Sequence, residues 1–290
     1  MNSSEFISIR LFGGLGNQIF QYMAGKWLAS ERKLPLYVDR KWLQDGYSHE
    51  NSSIEEFNFY KPDQELGKGH KNSLSLYLDR FLTVAARKSN YISNVTKINA
   101  PKNPGFEDLT KIGANFQLRG YYQSPEYFMW LKESGEINNS SFDLKNSNLN
   151  IRNLPTFNKE FFAIHVRGGD YLHSKSVYSQ LDIRYYKDAI YELNNISNDL
   201  PIWVFSDDLK YAKTMLSSFP KLNFVDKQPF TAAETMKLMS MAEGIVCANS
   251  TFSYWASMIC LNPRIIVAPK RWLKNVEQPS NFFPSNWKVI

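Results

Sequence analysis

Residues Phe161–Tyr171 read FFAIHVRGGDY, an apolar run that breaks into Arg167, two glycines and Asp170. A short apolar run closed by glycine describes a strand buried on both faces, as in parallel sheets. Its end carries chemistry. Glycine lets the backbone turn and approach a ligand closely, and the guanidinium beside it is a planar fork matched to phosphate oxygens. On that reading the stretch is half of a site for the diphosphate of a nucleotide sugar. On the plainer reading Arg167 and Asp170 pair at the surface of a strand-turn junction, and the stretch alone does not choose.

Working outward, the second half of the chain repeats the pattern. Apolar runs at 161–166, 202–205, 222–226, 244–248 and 264–268 alternate with helical spacing near 183–194, 208–217, 232–242 and 252–260. This alternation predicts a parallel sheet covered on both faces, with ligands beyond the carboxyl ends of its strands. Polar clusters follow three of those ends: Arg167-Gly168-Gly169-Asp170, Ser206-Asp207-Asp208 and Asn249-Ser250-Thr251-Phe252-Ser253. The last offers hydroxyls and free amides to phosphate oxygens, and the same residues serve equally well as a plain helix N-cap. Asp207 and Asp208 read either as a cation pair or as caps. His165, one residue from the end of its strand, reads first as a hydrogen-bonded core residue. Thr231 and Glu234 make a capping box, which gives Glu234 a structural purpose.

The first half opens the same way. Ile7, Ile9 and Leu11 alternate with Ser8 and Arg10, and the strand runs into the glycine-rich turn Gly13–Gln18. Ile19, Phe20, Met23, Ala24, Trp27 and Leu28 then recur at helical spacing, so the turn presents bare amides at a helix N-terminus. Leu34–Asp39 reads as the next strand. The signal loosens from Trp42 to about Asn115, although Leu74, Tyr77, Leu78, Phe81, Leu82 and Ala85 form a helical stripe. Gly120–Phe128, GYYQSPEYF, is aromatic and turn-rich, suited to a sugar face or to an aromatic core loop. The polar, Asn-rich stretch at 145–155, closed by proline, predicts a boundary between domains 1–152 and 153–290.

Composition narrows the partners. With 290 residues, 43% of them hydrophobic, the chain can bury one large core or two moderate ones. A net charge of +6 favours an anionic partner. No basic run or nucleic-acid motif is present, so nucleic acid is disfavoured, and contact with an anionic membrane surface stays open. The N-terminus lacks a signal-peptide pattern and no apolar run is long enough to span a bilayer; the expectation is a cytoplasmic protein, soluble or peripheral at the membrane's inner face. Cys247 and Cys260, the only cysteines, suit reduced core thiols. No Asp-x-Asp, HExxH or Cys/His cluster marks a metal site, so none is expected.

Taken together, GGLGNQIFQY, HVRGGDY, FSDD, LMSMAEGIVCANSTFSYWAS and VAPKRW resemble, in order and over nearly the whole chain, the bacterial α-1,2-fucosyltransferases of glycosyltransferase family 11. The resemblance implies an α/β protein of GT-B type, two Rossmann-like domains facing a central cleft. It implies inverting transfer of L-fucose from GDP-fucose, without a metal or other cofactor, to a terminal β-galactoside of a lipid-linked surface glycan of the O-antigen kind. The donor falls to the C-terminal domain and the acceptor to the N-terminal one. Arg167 and Asp170 correspond to the catalytic motif, with Asp170 the first candidate for general base. His165, Arg167, Asp207 and Asn249, Ser250, Thr251, Phe252 and Ser253 correspond to the donor site, with Gly14, Gly16 and Asn17 in the loop across from it. Transfer of another GDP-linked deoxysugar, or nucleotide-sugar binding without turnover, are the alternatives. Two positions depart from the family pattern: Gly168 stands where a second arginine is usual, and Thr235 where many members carry an aspartate associated with guanine recognition.

Overall fold

Ile7 and Ile9 are fully buried, as is Leu11 just beyond them, and the strand β1 (Ile7–Arg10) is the centre of the first sheet in the computed structural model of the chain. The structure describes residues 5–40, 43, 54–66, 96–100, 104–111, 115–146, 160–169, 181–225, 230–274, 276 and 278–290. The stripe expected over 74–85 and residues 147–155 of the expected linker lie outside them. The chain divides into two compact units, 1–52 with 60–137 and 53–59 with 138–290.

In the first unit β1 is followed by helix α1 (Leu15–Arg32) and strand β2 (Leu36–Asp39). Gly25 lets α1 lie directly on the sheet: a Cβ there would stand 3.0 Å from Ile9 Cβ and 3.2 Å from Leu36 Cδ1. Lys33, left-handed at φ 54°, ends the helix. Strands β3 (Gln64–Leu66), β4 (Thr96–Asn99) and β5 (Phe116–Arg119) complete a parallel sheet of order β3-β2-β1-β5-β4. These three short strands carry too little apolar periodicity to be read from sequence. The aromatic stretch after β5 contains a helix, α2 (Glu126–Glu133), with Tyr127, Phe128 and Leu131 buried. Tyr127 packs on Trp27 with ring centroids 5.1 Å apart, the core-loop alternative for this part of the stretch.

The second unit is built on β6 (Phe162–Val166), five residues with no exposed position. Around it run α3 (Ile183–Ile196), β7 (Ile202–Ser206), α4 (Leu209–Met215), β8 (Leu222–Phe224), α5 (Ala232–Met239), β9 (Gly244–Val246), α6 (Thr251–Met258), β10 (Ile265–Ala268) and β11 (Lys288–Val289). The parallel sheet has the order β11-β10-β9-β6-β7-β8. Phe162, Ile164 and Val166 pack with Tyr186, Ile190 and Leu193 of α3, each burial stabilising by about 1.5–3 kcal/mol. Alternation at 161–268 thus produces the sheet it predicts, to within a few residues at each end.

One segment from the first half of the chain belongs to this second unit. Phe57 and Phe59 stack at 5.3 Å, Phe59 lies 4.8 Å from Phe142, and Phe142 lies 6.1 Å from Trp255. Backbone bonds from Asn58 N to Asp143 O (2.9 Å) and Phe59 N to Ser141 O (2.7 Å) fix the register. The capping box on α5 is present, and the Thr231 hydroxyl that caps it also donates to Glu56 Oε2 at 2.9 Å. The units therefore divide at Ile137 rather than at the Asn-rich stretch, because 138–146 is held to 54–59.

Candidate active site

In an open parallel sheet the strand order reverses at one place, and the gap beyond the carboxyl ends there is where a ligand fits. In the second unit that place lies between β6, whose chain continues to β7 on one side, and β9 on the other. Arg167 follows β6, Asp207 follows β7, and Asn249–Ser253 follow β9. The clusters named from sequence thus stand at one edge of one sheet.

Arg167 is held rather than loose. Its Nη1 lies 2.8 Å from Asp207 Oδ2, and both side chains keep less than a fifth of their surface. Asp207 Oδ1 accepts the Gly168 amide at 2.8 Å. One carboxylate therefore fixes both the guanidinium and the turn that carries it. Asp170, expected as the partner of Arg167 and as a base, lies outside the described residues. Asp208 does something else: it is the N-cap of α4, accepting from Tyr211 N at 2.9 Å.

The glycines of this turn are dictated by their neighbours. At Gly168 a Cβ would meet Tyr211 Cδ1 at 2.8 Å and Asp208 Cβ at 3.1 Å. At Gly169, φ +25°, it would meet Asp207 Oδ2 at 2.6 Å. The aromatic ring of Tyr211 thus occupies the place a second arginine would need. Thr235, the other departure, donates its hydroxyl to the Thr231 carbonyl at 2.8 Å within its own helix.

Across the gap, Ser250 caps α6 by accepting from Phe252 N at 3.4 Å. Asn249 is buried and donates to Trp272 O at 3.2 Å. Ser253 has no exposed surface; its one proton is shared between Ala248 O (3.2 Å) and Ser250 O (3.1 Å), so this side chain shapes the turn. Thr251 and Phe252 are half-buried and border the gap. His165 is buried with its ring 5.5 Å from that of Phe252, and its carbonyl accepts from Tyr186 OH at 3.2 Å. The usable chemistry is one oriented cation opposite the amides of a helix N-terminus, an arrangement that stabilises phosphate charge. Among the described residues no group of three His, Cys, Asp or Glu side chains comes together to hold a metal. Nor is any helix among them long and apolar enough to cross a membrane.

In the first unit Gly14 is the N-cap of α1, with no side-chain cap, and Gly16 is buried in the first turn. Asn17 accepts from Gln123 Nε2 at 3.0 Å, a contact between the glycine-rich turn and the residues after β5. The second unit holds His165, Arg167, Asp207 and 249–253, and the first holds Gly14, Gly16 and Asn17. The role of Asp207 in holding Arg167 was not legible from spacing, since the two are joined only by strand order.

The solved fucosyltransferase NodZ from Bradyrhizobium superposes with a TM-score of 0.51 at 12% identity, over 89% of this chain and 93% of that one. The family 9 glycosyl transferase from Veillonella parvula superposes with a TM-score of 0.50 at 12% identity, over 100% and 87%. These likenesses speak to fold, and the fold is GT-B, with two Rossmann-like units. An α-1,2-colitosyltransferase of Escherichia coli is 27% identical over 99% of this chain and 98% of its own. The O-antigen biosynthesis glycosyltransferase WbnK of Escherichia coli is 26% identical over 90% and 93%. The sequence profile of glycosyl transferase family 11 matches residues 84–290, which include β6, Arg167 and the α6 turn, and to that family of glycosyltransferases the chain belongs.

Proposed function

We propose that the chain is an inverting α-1,2-fucosyltransferase that moves L-fucose from GDP-fucose to the terminal β-galactose of a surface glycan of the O-antigen kind. The observation that carries this reading is Arg167, oriented by Asp207 at the strand reversal and facing the helix turn at 249–253. As the fucosyl–phosphate bond breaks, negative charge gathers on the departing diphosphate. Arg167 and the amides at the start of α6 stabilise it in the transition state more than in the ground state. The acceptor hydroxyl attacks from the opposite face of the sugar, with Asp170 the first candidate to take its proton. The mechanism proposed here uses no metal: Arg167 and the α6 amides take the diphosphate charge, while Asp207 is engaged by Arg167 and Gly168 and Asp208 caps α4. The enzyme acts at the cytoplasmic side of the membrane, where the lipid-linked glycan is presented.

The coverage of the colitosyltransferase relative favours one second reading, transfer of colitose, which lacks the 3-hydroxyl of fucose. Single-turnover assays with GDP-fucose and with GDP-colitose, each with a β-galactoside and each in chelator, separate the two. The expected outcome is faster GDP release with fucose, with most of the rate kept in EDTA. Faster release with colitose supports the second reading; release restored only by Mg²⁺ or Mn²⁺ refutes the metal-free mechanism.

A further inference from the structure

The first unit repeats, at its own strand reversal, the arrangement that holds Arg167. Its reversal lies between β1 and β5. Arg10 ends β1 and is bound by Asp39, the last residue of β2, through Nη2 at 2.7 Å and Nε at 2.8 Å. The first strand of each unit thus delivers an arginine, and the second an aspartate that fixes it.

The first unit then adds something. Gln117 donates to Asp39 Oδ2 at 3.0 Å and accepts from Arg119 Nε at 2.8 Å, so a chain Arg10–Asp39–Gln117–Arg119 crosses three adjacent strands on one sheet face. Asp39 and Gln117 are buried. Arg119, at the end of β5, is half-buried and makes no ion pair with a carboxylate among the described residues. Burial first and the neighbouring Arg10 second push its pKa down, and Asp39, already bonded to Arg10, offsets this only in part. Gly120 turns the chain sharply after it, since at φ +122° a Cβ would stand 2.9 Å from Ala100 N. Tyr121 follows, 45% exposed, its ring 4.9 Å from that of Phe12. Two guanidiniums, Arg10 and Arg119, thus share the single carboxylate of Asp39, and the outer one, oriented through a buried amide and followed in the chain by an exposed aromatic ring, leaves a positive charge that an anion would balance.

We propose that Arg119 binds an anionic group of the acceptor, a carboxylate or a phosphate, while the Tyr121 ring supports the adjoining sugar. This rests on the reading that the first unit takes the acceptor, and it makes the preferred substrate an acidic glycan rather than a neutral galactoside. The test uses three acceptors with the same terminal β-galactose: one on an uncharged alkyl aglycone, one on an alkyl diphosphate, and one with a hexuronate as the next sugar. The wild type should prefer one of the charged acceptors, and the one preferred identifies the source of the anion. Arg119→Gln should lower kcat/KM for that acceptor relative to the neutral one by about tenfold to a hundredfold, chiefly through KM, the loss expected for a hydrogen bond to a charged group. Arg119→Lys should recover part of the preference, which a merely structural arginine would not show. Equal use of all three acceptors by the wild type, or an equal loss on all three in a folded Arg119→Gln, overturns the proposal. If GDP-fucose is not turned over with any acceptor, the fucosyl reading fails instead. Calorimetric binding of the diphosphate and neutral acceptors without donor then decides the anion site: a preference for the charged one that Arg119→Gln abolishes upholds it, and equal binding overturns it.

Discussion

At the scale of single residues, the decisive relation is that between Arg167 and Asp207. A carboxylate that bonds both a guanidinium and the amide beside it removes freedom from the arginine before substrate arrives, which is what makes a donor effective against developing charge. Arg167→Ala is expected to lower turnover by about 10²–10³, roughly the 2.7–4 kcal/mol seen when one aimed donor is lost. Arg167→Lys keeps the charge without the fork and should be strongly impaired as well. Asp207→Asn should fall between them, because the amide oxygen can still accept from Gly168 while the ion pair is gone. Turnover and thermal melting measured side by side are the check. A folded Arg167→Ala with near wild-type turnover removes the residue from the mechanism. Gly168 belongs to this scale too: with the Tyr211 ring against it, the one-arginine form of the motif is built into this chain's packing.

At the scale of elements, α4 separates two neighbouring aspartates by function. Asp208 caps the helix while Asp207 serves the site, although in sequence they are interchangeable letters. Asp208→Ala should destabilise by about 1 kcal/mol, the usual value of an N-cap, and leave donor affinity within about twofold. Urea denaturation and GDP titration read the two quantities; a large loss of GDP affinity without a loss of stability would assign Asp208 to the site. The same contrast explains what was legible. Strand β6 could be read because five buried residues in a row have no other explanation, and α5 because its capping box is local chemistry. FQLR of β5 and QEL of β3 could not, since three or four residues with polar members carry no period, and their pairing with β1 and β2 is a long-range fact. That is why Arg119 escaped notice while Arg167 did not. The sheet edge was predictable; which acid would hold which arginine was not.

At the scale of the whole molecule, both units bury groups that resist losing their protons. Burial pushes the Cys247 thiol up to about 12, and it raises Tyr22, Tyr60, Tyr122, Tyr127 and Tyr186 as well. A group whose folded pKa is raised lends stability that is complete below the unfolded pKa and is lost as pH climbs toward the folded one. Cys247 alone should therefore cost about 1.4 kcal/mol per pH unit above about pH 9, with the tyrosines adding from about pH 10. Urea midpoints should be level from pH 7 to about 8.5 and fall steeply to pH 11, with Cys247→Ala about halving the first part of the fall, because burial pushes the Cys260 thiol up to about 12 as well; midpoints unchanged through pH 10.5 would contradict this. The molecule's other global feature is the path of its chain, which crosses between units three times because residues 53–59 belong with 138–290. During synthesis on the ribosome Phe57 and Phe59 emerge early, yet Phe142, the ring they pack on, comes much later, and Trp255, which packs on Phe142, later still. The growing chain must carry that greasy pair without its partner ring until about half of the protein has been made, and a gene fragment starting at residue 138 leaves Phe142 without the two rings that pack on it.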